Sequence, residues 1–173
     1  MKRTLSLINR QRVRSVDLRR LRRIVQAILR EVWPAGSFDL VIYLVAGPEM
    51  TRLNETFLHH KGSTDVITFD YSETVGQASR LSGRDTQAAR TALHGEIFIC
   101  LDEAASQARR FRATWESELV RYIVHGVLHL LGHDDQEARS RRRMKKAEDG
   151  LVRHLARQFD FYSLTLSRRG NGL

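Results

Sequence analysis

Short apolar runs of strand composition alternate with stripes of helical period along most of this chain, and that alternation limits the fold more than any single motif does. Such strands form a sheet that the intervening helices must cover, which is an α/β layer arrangement. Strands are expected near residues 4–9, at 38–45 (FDLVIYLV), at 65–71 (DVITFDY) and at 95–101 (GEIFICL). Leu18, Leu21, Ile24, Val25, Ile28, Leu29 and Val32 make one helical stripe, with Ser15 and Asp17 as candidate caps and the WPAG at 33–36 as its stop. Gly47-Pro48 opens a short helix expected to turn Met50, Leu53 and Phe57 inward. Further helices are expected over 102–112, 115–132 and 143–159, the last with Met144, Leu151 and Leu155 as its apolar side. Residues 72–94 are polar and contain glycine, and are expected to form a mobile loop. The 173 residues suffice for one core. The expectation is a single domain over 1–160, a small mixed sheet of about four strands flanked by five or six helices, followed by a flexible polar tail at 161–173.

Charge narrows the function. With 29 Lys+Arg against 20 Asp+Glu the chain carries a net charge of +9, a field that favours polyanions, nucleic acid first among them. Two clusters stand out: the arginines on the polar side of the first long helix (Arg19, Arg20, Arg22, Arg23, Arg30), and RSRRRMKK at 139–146. The lone cysteine, Cys100, lies in an apolar run and reads as a buried structural thiol in a reducing compartment. The basic start is cut by Asn9 and Arg10 too early for a signal peptide, and no apolar stretch approaches a membrane span, so a cytoplasmic location is expected.

The chemistry concentrates in HGVLHLLGHDD, residues 125–135. His125 and His129 stand at i and i+4, on one face of the longest helix, where two imidazoles hold one metal ion. Two ligands need a third. Gly132 ends the helix and turns the chain back, which returns His133, Asp134 and Asp135 toward the same ion. A zinc peptidase helix places a glutamate base directly after its first histidine; here that position is Gly126, so peptide hydrolysis by that route lacks its base.

HGVLHLLGHDD, with STDVITFDY and HGEIFICLDEA upstream, resembles the YbeY family of metal-dependent endoribonucleases, and the likeness runs from about Leu5 to Leu155. The resemblance implies one Zn2+ per chain and cleavage of single-stranded RNA. It also implies a role in maturing the 3′ end of small-subunit ribosomal RNA and in ribosome quality control, with ribosomal RNA, the small ribosomal subunit and its proteins as partners. Two departures from the family pattern stand out. The family's third histidine falls on Asp135, an acceptable zinc ligand, with His133 as the alternative. Where many members carry an arginine after the aromatic, this chain has Leu58, leaving His59, His60 or Lys61 to supply a positive charge.

The expected site is therefore His125, His129 and Asp135 in a cleft beside the long helix. Asp134, Thr64, Asp65, His60 and Lys61 stand around it or toward substrate, and Arg139, Arg141, Arg142, Arg143, Lys145 and Lys146 contact RNA. Asp134 is the first choice to orient a ligand histidine; Asp65, Glu96 and Asp134 are candidate bases, none placed by motif. Trp33 and Trp115, at helix ends, read as packing anchors rather than base-stacking platforms. The competing reading is a ribosome-associated RNA-binding factor whose metal is structural.

Overall fold

A computed structural model of the chain describes residues 2–72 and 92–166. Four strands, β1 (Arg3–Asn9), β2 (Ser37–Val45), β3 (Val66–Asp70) and β4 (Ala92–Cys100), form one sheet in the order β1-β2-β4-β3. β1 and β4 both run parallel to β2, while β3 pairs antiparallel with β4. Among the described residues five α-helices accompany it: α1 (Leu18–Val32), α2 (Gly47–Leu53), α3 (Leu101–Phe111), α4 (Trp115–Leu130) and α5 (Ala138–Gln158). The α/β mixed sheet read from the sequence is the fold observed.

Local chemistry explains the element boundaries. Asp17 caps α1 by accepting from the amides of Arg19 and Arg20, both at 3.0 Å, and Trp33 closes it with its indole donating to the Ser37 carbonyl at 3.0 Å. Thr114 caps α4 through the Ser117 amide at 3.1 Å. One face of the sheet, with Leu40, Ile42, Leu44, Ile97 and Ile99, packs under α1, α4 and α5. The other carries a smaller cluster of Val45, Met50, Ile67, Phe98 and Cys100 beneath α2. Cys100 is fully buried and burial pushes its thiol up, as befits a packing residue.

Four expectations need correction. Phe57 is 56% exposed, because α2 runs into a π-helical turn (Asn54–Leu58) whose extra residue brings Asn54 inward instead. The Asn54 amide is then satisfied by the Gly62 carbonyl at 2.9 Å. β4 begins at Ala92, and Ser72 and His94 hydrogen-bond across the start of that hairpin, so both ends of the expected loop belong to the sheet; residues 73–91 lie outside the described residues. α5 begins at Ala138, which draws the whole 139–146 basic run into a helix. The supposed flexible tail is part of the fold as far as residue 166. Phe161 and Leu164 are buried in the main core, Leu164 accepts from the Asp17 amide at 2.8 Å, and Thr165 bridges to Val16. Residues 167–173 lie outside the described residues.

Candidate metal centre

α4 lies directly on the sheet because Gly126 has no side chain. A Cβ there would sit 2.7 Å from Cγ2 of Ile97 and 3.3 Å from Oγ1 of Thr68. That contact fixes where His125 and His129 project, on the half-exposed flank of the helix. Their Nε2 atoms are 3.0 Å apart. Gly132, at φ 88°, ends the helix in the left-handed region, with its amide on the His129 carbonyl at 2.8 Å and the His133 amide on that of Leu128 at 3.0 Å. The turn brings Oδ2 of Asp135 to 4.0 Å from the His125 Nε2 and 3.8 Å from that of His129. Three donor atoms converge on one point.

Each ring's second nitrogen decides what the first can do. His125 Nδ1 faces Oε2 of Glu148 at 3.0 Å, and His129 Nδ1 faces the His133 carbonyl at 3.0 Å. A carbonyl only accepts, as does an ionised carboxylate, so each ring carries a proton on Nδ1, and a neutral ring turns its Nε2 lone pair to the centre. Between neutral rings, two Nε2 lone pairs 3.0 Å apart beside a carboxylate call for a shared cation, a metal ion or a proton. Imidazole nitrogen and carboxylate oxygen are both ordinary zinc donors, so the set fits that ion. Burial, reinforced by the neighbouring His125, pushes the His129 imidazole below its ordinary value and keeps it neutral.

Glu148 is 5% exposed, and burial alone would raise its carboxyl. Hydrogen bonds from His125, Lys145 and Arg121 overcome this and hold it at about 2. Lys145 reaches it at 2.9 Å, while Arg121 also binds Asp149 at 2.6 Å. His125 is thus aimed by a buried, charge-balanced carboxylate, a common device at metal sites. The sequence reading missed Glu148, yet a signal exists. It falls four residues after Met144 and three before Leu151, on the stripe of α5 that faces the core, where a lone acid needs a partner.

The other expected residues are placed differently. His133 contributes its carbonyl, not its ring, to the centre, and Asp135 occupies the third position. Asp134 is exposed and accepts from the Gln136 amide at 3.0 Å, so it orients no histidine; Glu148 and the His133 carbonyl do that. Asp65 caps the start of β3 through the Val66 amide at 2.9 Å and accepts from Thr64 at 3.1 Å. His60 and Lys61 are exposed in the turn after Leu58, and among the described residues no hydrogen bond or ion pair ties them to the histidines. Glu96 lies on the opposite sheet face, held by the hydroxyls of Tyr43 at 3.0 Å and Tyr71 at 3.1 Å. In the basic run, Arg141 donates to the Asp135 carbonyl at 2.8 Å and Lys145 serves Glu148, whereas Arg139, Arg142, Arg143 and Lys146 are exposed.

An α/β layer with two histidines and a carboxylate gathered at a glycine-broken helix end defines a class of proteins with a centre able to hold a metal ion. The family model described as Endoribonuclease YbeY matches residues 6–156. Relatives bearing that name include one from Chlorobium phaeovibrioides, 35% identical over 153 residues covering 88% of this chain and 90% of the relative. A second, from Salinibacter ruber, is 32% identical over 136 residues, with 79% and 82% covered. The solution structure of a Thermotoga maritima protein, 23% identical, superposes with a TM-score of 0.61 over 98% of this chain and all of that one, a shared fold. The chain belongs to the YbeY family.

Proposed function

We propose that this protein is a zinc-dependent, single-strand-specific endoribonuclease of the cytoplasm, acting in maturation of the 3′ end of small-subunit ribosomal RNA and in ribosome quality control. The observation that carries this reading is the convergence of the two Nε2 atoms, 3.0 Å apart, with the Asp135 carboxylate in a member of an endoribonuclease family. His125, His129 and Asp135 would hold the ion, which when bound supplies positive charge to a phosphate oxygen. This chain's own residues do the rest: Glu148 and the His133 carbonyl fix the ring orientations, and Gly132 places Asp135. The exposed cations of α5 draw the phosphate backbone. Leu58, 45% exposed where the family resemblance expects arginine, favours one competing reading, an RNA-binding factor with a structural metal.

The experiment pairs metal analysis with cleavage of a single-stranded fragment from the 3′ region of small-subunit ribosomal RNA, for the wild type and His129→Ala. One zinc per chain and cutting that disappears in the variant support the nuclease. Wild-type protein that binds zinc and RNA without cutting supports the structural-metal reading.

A further inference from the structure

α5 is a 21-residue helix built against its own electrostatics. Its first turn contains no acidic residue, its N-cap Glu137 makes no side-chain cap, and Arg139, Arg141, Arg142 and Arg143 crowd the end where the helix dipole is positive. Farther along, Arg153 and Arg157 join the same side. At about 100° per residue, Arg139, Arg142, Arg143, Lys146, Arg153 and Arg157 fall within an arc of roughly 100°, opposite the buried Met144, Glu148, Leu151 and Leu155. All six are exposed, and none has an ion-pair partner among the described residues. In the middle of this ridge is Gly150, inside the helix, where an added Cβ would meet nothing within 4 Å. Packing gives no reason for a glycine there, although it costs the helix stability relative to alanine. Close approach of another molecule's backbone gives one. The ridge starts at the metal centre: Arg141, from the same turn, holds the Asp135 carbonyl at 2.8 Å.

We propose that the outer face of α5, from Arg139 to Arg157, is a phosphate rail that carries the strand of RNA leading away from the metal centre, with Gly150 as the point of closest approach. The rail deepens the nuclease reading and rests on it for the identity of the polyanion. It spans about 27 Å at about 1.5 Å per residue and reads no sequence, since cations on a ridge contact phosphate rather than base edges. Arg141 and Lys145 are excluded from it, being committed to Asp135 and Glu148.

The test uses binding, in the cleavage-deficient His129→Ala background, of a fluorescent single-stranded 20-nucleotide RNA across a salt series. Six phosphate contacts predict a slope of log affinity against log salt of about −4, at about 0.7 per contact on a single strand. Replacing Arg153 and Arg157 by glutamine should flatten the slope by about 1.4. A trinucleotide, too short to run the ridge, should bind both proteins equally. Gly150→Gln should raise the melting temperature yet weaken binding of the long RNA, a split that a merely structural glycine would not produce. An unchanged slope in the double variant, unchanged binding in Gly150→Gln, or tighter binding to vesicles of anionic lipid than to RNA would overturn the rail. Loss of the rail leaves cutting of the ribosomal fragment by wild type untouched. Conversely, a wild type that never cuts but shows the expected slopes keeps the rail and removes the nuclease.

Discussion

Two glycines inside helices should respond in opposite directions to the same substitution. Gly126→Ala puts a methyl group 2.7 Å from Cγ2 and 3.0 Å from Cδ1 of Ile97, a stiff, fully buried side chain, so α4 must lift from the sheet or Ile97 must leave its rotamer. Overpacking of this kind costs about 1–3 kcal/mol, against a gain of up to about 1 kcal/mol in helix propensity. The net expectation is destabilisation by about 1–2 kcal/mol. At Gly150 the steric charge is absent and only the propensity gain remains, so Gly150→Ala should stabilise by up to about 1 kcal/mol. Urea unfolding with chelator present measures both without a contribution from bound metal. In a chain of this size each kcal/mol corresponds to about 2–4 °C in Tm. If Gly126→Ala proves as stabilising as Gly150→Ala, the close helix–sheet contact does not set the position of the histidines and the reasoning fails.

Three further outcomes are expected. Glu148, held at about 2 against an ordinary 4.5, contributes stability that is complete above pH 4.5 and lost as pH falls toward 2, on the order of 3 kcal/mol in metal-free protein. Urea titrations across that window should therefore show a slope that Glu148→Gln flattens. Asp135→Ala should lower zinc content while His133→Ala leaves it near one per chain, because only the carbonyl of His133 serves the centre; metal analysis after dialysis decides. Leu164→Ala should cost about 2–5 kcal/mol in chemical unfolding, as for a core leucine, although it stands ten residues from the C-terminus.

Much of this was readable beforehand. The alternation of periods yielded the layers, Asp17 and the WPAG stop bounded α1, and the spacing of His125, His129 and Gly132 located the centre, since each rests on neighbours within a turn or two. What escaped depends on distance along the chain or on departures from regular geometry. Glu148 reaches His125 across 23 residues, and only packing of α5 on α4 brings them together. Phe57 was misplaced because one extra residue in a π-helical turn rotates everything after it. The start of α5 was hidden since no apolar residue marks its inner side before Met144. The docked tail carried a faint signal, Asp160 accepting from the Tyr162 amide at 3.1 Å ahead of two apolar residues three apart.

The two imidazoles, alike in the chemistry they offer, differ in how sequence drift reaches them. The His129 ring is held by a main-chain carbonyl, which every residue at position 133 supplies, so that position is free to vary without turning the ring. The His125 ring depends on the side chain of Glu148, which in turn depends on Arg121 and Lys145. One half of the centre is robust by construction, and the other is a linked set of four side chains that can change only together.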